Sequence, residues 1–291
     1  MTEMCQLFAL NSNVPSAVTF SFTGFSARGG GTDEHADGFG LAFHEGAACR
    51  LFVDAGRASD SALAEFLRGH PIPACTVLGH IRKATQGPVQ LANSHPFVRE
   101  WQGRHWSFCH NGDLQDFRPR LNGSFMPVGG TDSEHAFCWM LQELKRRFRA
   151  RRAPTWQQLA PELAELAQRI RGHGRFNFLL SDGAALYAQA ATRLTWLSRQ
   201  YPFATAQLVD RDVTLDLSTA NGLGDRMTVV ATEPLTRNEA WQAFAPNELA
   251  VFVAGARVWG CAGVSAVGSN VPLTAARLRS AHPAGRTATL N

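Results

Sequence analysis

The chain has 291 residues, of which 45% are hydrophobic and 18% charged, with 26 glycines scattered along it. That composition allows one large domain or two small ones with a sizeable core, and excludes a disordered or fibrous chain. The net charge of +4 is local: KRRFRARR at 145–152 carries six basic residues in eight, and the remainder is nearly balanced.

A basic run of that kind at a helix end suits the helix dipole. No aromatic-studded basic groove accompanies it, so nucleic acid is not an expected partner. Six cysteines, at 5, 49, 75, 109, 138 and 261, are widely spaced, with no CxxC pair and no secretory signal ahead of them. They read as reduced thiols of a cytoplasmic protein. No window approaches the roughly 18 consecutive apolar residues of a membrane span, so no membrane association is expected.

Taken in chain order, the first 55 residues read as β-rich. CQLFAL, AVTFSF, GFGLAFHE and CRLFVD are short apolar stretches separated by Gly, Asn and Asp. SDSALAEFLRG at 59–69 carries an N-cap and an apolar face of Leu63, Phe66 and Leu67, which predicts a short helix. ACTVLGHI (74–81) and RHWSFCH (104–110) read as strands. Thr131 and Glu134 form a TxxE capping-box pattern ahead of a helix whose stripe is Phe137, Met140, Leu141 and Leu144. A second helix over 155–171 turns Leu159, Leu163, Leu166 and Ile170 inward. Strands return at 176–183, 185–190, 226–232 and 249–255. Strands, two consecutive helices and strands again predict an α+β fold of two packed sheets with helices outside. One domain over 1–260 is expected, with a poorly ordered C-terminal tail over 261–291.

Cys5 is the first residue with chemical potential. A thiolate is the nucleophile, and a free thiol near pKa 8.5 needs help to ionise at neutral pH. An α-amino group on the same residue, pKa about 7.7–8.0, is a base suited to that task. Equally, Cys5, Leu7 and Ala9 share one face of a strand, which is how an ordinary buried cysteine looks. GHIRKAT (79–85) ends a strand with Arg82, which can grip a carboxylate bidentately or lie on the surface. In CHNGD (109–113), Asn-Gly is the commonest sign of a tight hairpin turn. A turn exposing the Asn111 amide and the Gly112 N–H would also present two donors together, the elements of an oxyanion hole. Asp132 can cap its helix or reach out to a substrate ammonium. HADGFG (35–40) and NSHPF (93–97) are weaker, each a loop with a structural histidine or part of a pocket wall. No cysteine and histidine spacing suits a metal, and none is expected.

Together and in order, MCQLFALN, RGGGTDEHADGFG, GHIRKAT, NSHPF, CHNGD and GGTDSE resemble the class-II glutamine amidotransferases, the group with an N-terminal nucleophile (Ntn). FNFLLSDG and VVATEPLTRNEAW are similar to the small standalone members, so the resemblance spans about residues 5–260. It implies an Ntn-hydrolase-like four-layer αββα sandwich of two mainly antiparallel sheets, and a reaction needing no cofactor. It further implies that Cys5 attacks the glutamine amide with its own α-amino group as base. Asn111 and Gly112 would stabilise the oxyanion. Arg82 would take the α-carboxylate and Asp132 the α-ammonium, with His80, Thr85 and Thr131 in the substrate-binding set.

Family members usually begin Met-Cys, whereas Met1, Thr2 and Glu3 precede Met4 here. The expectation is that Met4 is the working start, or that a short leader is removed. Only about 150 residues follow the glutaminase motifs, too few for an attached synthase domain as well. Three readings follow: a glutaminase supplying ammonia to a separate synthase, a hydrolase of another γ-glutamyl amide like the ergothioneine-pathway relatives, or a non-catalytic binding module with a blocked Cys5.

Overall fold

The computed structural model describes residues 5–149 and 152–262. The chain opens with strand β1 (Gln6–Ser16) and helix α1 (Thr19–Ala27), followed by the hairpin β2 (Phe39–Glu45) and β3 (Ala48–Asp54). Helix α2 (Ala62–Gly69) leads to β4 (Ala74–Ile81), and a second hairpin joins β5 (Phe97–Trp101) to β6 (Arg104–Leu114). Helices α3 (Asp132–Arg147) and α4 (Trp156–Arg171) come next. The chain then returns to strands: β7 (Gly174–Ser181), β8 (Leu186–Ala190), β9 (Thr195–Gln200), β10 (Thr205–Gln207) and β11 (Thr214–Asp216). It closes with β12 (Arg226–Ala231), β13 (Gln242–Ala243), β14 (Glu248–Val253) and β15 (Ala256–Ala262).

These strands form a seven-stranded sheet, ordered β13-β9-β12-β1-β4-β2-β3, and a six-stranded sheet, ordered β15-β14-β8-β7-β6-β5. A separate ribbon pairs β10 with β11. Every pairing within the two sheets is antiparallel.

The pleat of β1 shows how the layers arise, because alternate side chains leave its two faces. Phe8 and Leu10 join Phe22, Phe25, Ala64 and Leu67 in a core beneath α1 and α2. Leu7 and Ala9 point the other way, into a layer shared with Leu78, Cys109, Leu179 and Ala250 from both sheets. A third core packs Phe108 and Phe178 of the second sheet against Phe137 of α3 and Leu163 of α4. The order is helices, sheet, sheet, helices: the four-layer αββα sandwich expected from the sequence.

The two long helices keep their expected stripes, with Phe137, Met140, Leu141 and Leu144 on α3 and Leu159, Leu163, Leu166 and Ile170 on α4 all buried. Half of the expected capping box of α3 forms. Thr131 Oγ1 accepts from Glu134 N at 3.2 Å. The Glu134 carboxylate turns instead to Arg99 and to the Val128 and Gly129 N–H groups. Within the basic run, Arg146 pairs with Glu143, and Arg147 reaches Glu162 and Glu165 on α4. Those described residues of the run thus bind α3 to itself and to α4.

AVTFSF is not a strand. Val18, Phe22 and Phe25 are buried at helical spacing, and α1 occupies Thr19–Ala27. The alternation holds only over a six-residue window, and a window extended to Ala27 shows the longer period. The strands β5, β9, β13 and β15 and the ribbon β10–β11 carry too little apolar pattern to be read from sequence. β15 runs to Ala262, while the expected tail lies outside the described residues from 263 onward.

The layer between the sheets turns polar towards its ends. His44 Nε2 lies 2.7 Å from Ser107 Oγ, and His80 Nε2 donates to the His110 carbonyl at 2.9 Å. Burial pulls His44 down to a pKa of about 4 and His80 to about 3. Both fall below the unfolded value near 6.5, so their full contribution is present above pH 6.5. As pH drops towards the folded values, the unfolded chain takes up protons first and stability declines. At pH 5 each costs about 2 kcal/mol. The expected result is a clearly lower urea midpoint at pH 5 than at pH 7.5, and a midpoint flat across that range contradicts it.

Candidate active site

Cys5 lies immediately before β1, which is held at the centre of the first sheet by β4 on one side and β12 on the other. The start of the strand is fixed by Thr232, whose Oγ1 accepts from Leu7 N at 2.8 Å and whose N–H donates to Leu7 O at 3.1 Å. Lys83 N–H donates to Cys5 Sγ at 3.3 Å, and the thiol faces the Lys83 carbonyl at 3.4 Å. Burial pushes the Cys5 thiol up to about 11, opposed by the Lys83 N–H and by the positive charge of Arg82. A thiol in that setting is almost wholly protonated near neutral pH and needs a base to attack anything.

CHNGD is not a hairpin turn. β6 runs unbroken through it to Leu114, with Asn111 opposite Asn177 and Gly112 opposite Phe176 on β7. Neither Asn111 nor Gly112 has a positive φ, which the expected turn would have required. The glycine is needed for space instead. A Cβ at position 112 would sit 1.8 Å from the Arg175 carbonyl oxygen and 2.7 Å from His110 Nε2. The extended strand still brings its amide to Cys5: Asn111 Nδ2 donates to the Cys5 carbonyl.

Arg82 follows β4 and is buried. Its guanidinium donates to the carbonyls of Gln86 at 2.8 Å, Gly87 at 3.1 Å and Pro88 at 3.2 Å. No carboxylate of the described residues forms an ion pair with it. Asp132, the first residue of α3, is also buried. It accepts from Leu114 N at 2.8 Å and from Ser133 Oγ at 3.3 Å, with no cation of the described residues paired to it. Two opposite charges, both buried and neither in an ion pair among the described residues, suit a ligand carrying both signs. Both also act on Cys5: Arg82 lowers its pKa and Asp132 raises it.

The surrounding loops are pinned. Asp37 of the HADGFG stretch accepts from Ala84 N at 2.7 Å and donates its own N–H to Arg82 O at 3.1 Å. Asn93 of NSHPF bridges the two loops beside Arg82 and α3, donating to Pro88 O and accepting from Gly130 N, both at 2.9 Å. Thr131 caps α3, and Thr85 is exposed on the rim of a cavity of about 370 Å³. Asp132, Asp113, Gln86 and Leu114 also line that cavity, whereas Cys5 does not. His80 is fully buried behind β6 and stacks on His95 with ring centroids 4.1 Å apart. His110 bonds Ser133 Oγ through Nδ1 at 2.8 Å and Arg175 O through Nε2 at 3.1 Å, and burial lowers its pKa against the pull of Asp132.

Among the described residues no cluster of three or more His, Cys, Asp or Glu is arranged to hold a metal. No helix of the described residues is long and apolar enough to cross a membrane. Asp37, Asn93 and Asn177 were not singled out from sequence, because short polar residues in loops or strands show nothing locally of what they hold.

The chain matches the glutamine amidotransferases class-II family over residues 4–274. It belongs to that family. The match begins at Met4, one residue before Cys5. The family member is 45% identical over 255 residues to Escherichia coli YafJ, provisionally named a glutamine amidotransferase, covering 88% of this chain and all of that one. A Haemophilus influenzae protein with the same provisional name is 40% identical, over 88% of this chain and 86% of its own. Among solved structures, a Pseudomonas aeruginosa protein provisionally described as a glutamine amidotransferase superposes with a TM-score of 0.70 at 38% identity. It covers 88% of this amidotransferase and 100% of the Pseudomonas chain, and the two-sheet sandwich is of the Ntn type.

Proposed function

We propose that this amidotransferase releases ammonia and glutamate from glutamine through a γ-glutamyl thioester on Cys5. The convergence of Cys5, the Asn111 amide on its carbonyl, and the buried charges of Arg82 and Asp132, in no ion pair among the described residues, carries the reading. Glutamine presents an α-carboxylate to Arg82 and an α-ammonium to Asp132, which aligns its side chain with the thiol. Thr85 and Thr131 border the ammonium end, and His80 supports the site from behind β6.

In the first step the Cys5 thiol passes its proton to its own α-amino group as sulfur bonds the amide carbon. The carbonyl becomes an oxyanion, held by the second Asn111 Nδ2 hydrogen and the Gly112 N–H. The C–N bond then breaks, and nitrogen leaves as ammonia with the transferred proton. Water adds to the thioester, the C–S bond breaks, and glutamate departs with the thiol restored. The base must be a free α-amino group, so the working form begins at Cys5.

Ammonia released here would serve a separate synthase as acceptor. The test measures ammonia release from glutamine and from a panel of γ-glutamyl amides, on protein shown by intact mass to begin at Cys5. Ready turnover of glutamine is expected. Preference for a bulky γ-glutamyl conjugate makes that class the substrate, and no turnover of either by such protein contradicts the proposal.

A further inference from the structure

The oxyanion donor at Gly112 is one end of a peptide group whose other end is the Asn111 carbonyl. Asn177 holds that carbonyl. Its Nδ2 donates to Asn111 O at 2.9 Å from the facing position on β7. The orientation of the Asn177 amide is not arbitrary, because two backbone N–H groups identify its oxygen: Ala191 N and Thr192 N each donate to Oδ1 at 2.9 Å. With Oδ1 taken, the NH₂ end has to face Asn111. Its second hydrogen reaches Thr192 Oγ1 at 3.0 Å. Asn177 is fully buried, and every hydrogen-bonding position of its amide is used.

A matching contact lies one peptide earlier, where His80 Nε2 donates to His110 O at 2.9 Å. A carbonyl cannot donate, so Nε2 carries the proton of this imidazole. The carbonyls on both sides of the Asn111 side chain are therefore gripped by buried side chains, one from each sheet.

We infer that Asn177 is a positioning residue for the oxyanion hole, aiming and polarising the Gly112 N–H through the carbonyl of the same peptide group. A hydrogen bond accepted at a peptide oxygen draws electron density from the nitrogen and strengthens its N–H as a donor, and linked hydrogen bonds polarise one another. A donor fixed before charge develops costs nothing to reorient in the transition state, which is where such donors act. The inference rests on the oxyanion roles proposed above for Asn111 and Gly112.

Asn177→Asp is the direct test. It preserves shape and keeps an oxygen for Ala191 N–H and Thr192 N–H, but turns an acceptor towards the Asn111 carbonyl. Expected is a fall in kcat of about 10- to 100-fold, part of the 10²–10³ that loss of a whole donor costs. KM for glutamine stays within about twofold, because Arg82 and Asp132 are untouched. As pH is lowered, the kcat of the variant relative to wild type rises, because a protonated carboxyl regains a donor for that carbonyl. A folded Asn177→Asp with unchanged kcat overturns the inference, and so does a loss with no recovery at low pH.

If Asn177→Asp does not fold, Thr192→Val replaces it, removing the acceptor of the second Nδ2 hydrogen while sparing both backbone donors. A fall of about two- to fivefold in kcat at constant KM is then expected, and an unchanged kcat overturns the inference. Asn111→Ala separates the two readings. If it lowers kcat as expected while the Asn177 and Thr192 variants do not, only the positioning role fails; if it leaves kcat intact, the oxyanion reading itself fails.

Discussion

Cys5→Ala is expected to lower glutamine hydrolysis by about 10³-fold or more, as loss of a nucleophile does when no other group can form the covalent intermediate. The folded protein should be little changed. Among the described residues the thiol meets Lys83 N and Lys83 O in long contacts of 3.3 and 3.4 Å. The Asn111 amide holds the Cys5 backbone carbonyl, which alanine keeps. An unchanged thermal midpoint alongside the lost ammonia release is therefore the expected pair of results. Substantial residual activity would move the chemistry away from Cys5. Cys5→Ser separates thiol chemistry from shape: the hydroxyl fits, yet its higher pKa makes it a poorer nucleophile for the same base.

Gly112→Ala should strike both fold and chemistry. The added Cβ would lie 1.8 Å from a backbone oxygen of Arg175, and backbone cannot step aside as a flexible side chain can. β6 and β7 must separate locally, at a cost of about 1–3 kcal/mol or more for overpacking. The displaced N–H is the proposed oxyanion donor, so kcat should fall about 10²-fold in whatever folds. Gly69→Ala is the control: nothing lies within 4 Å of a Cβ there, at the end of α2. A Gly112→Ala protein with native stability and activity contradicts the close approach.

The fold class could be read in advance because the helices carry their core on regular stripes and the buried strands are apolar on both faces. Leu159, Leu163, Leu166 and Ile170 are visible at helical spacing, and QLFAL is apolar because sheet and helices cover opposite faces of β1. AVTFSF resembles a strand because Val18, Phe20 and Phe22 alternate, but Val18 is the N-cap of α1 and the helical period shows only once Phe25 is included. The turn assigned to Asn-Gly failed for a different reason. Local preference favours a hairpin, but β6 is held straight by pairing with β7 from Ser107 to Leu114. Tertiary pairing overrides what two residues favour by themselves.

At the site, Cys5, Arg82, Asn111, Gly112 and Asp132 each keep a structural alternative when read alone, and their proposed roles come from the order of motifs that resembles the family. What supports them could not be read from sequence. Asp37 holds Ala84, Asn93 ties two loops, and Asn177 grips a carbonyl on the neighbouring strand, all through contacts 37 to 66 residues apart in sequence. Such polar residues look the same in sequence whether they hold a catalytic peptide or face solvent. His80, which the resemblance puts in the substrate-binding set, is fully buried between the sheets and donates to the His110 carbonyl of β6.

In the proposed reaction Cys5, carrying a free α-amino group, forms a γ-glutamyl thioester. The most direct measurement is acid quenching during glutamine turnover, followed by peptide mass spectrometry of the N-terminal segment. The expected result is a peptide that begins at Cys5 and carries one γ-glutamyl group, absent from Cys5→Ala. A fully active protein whose N-terminal peptide begins at Met1 or Thr2, or whose adduct lies on another residue, contradicts it.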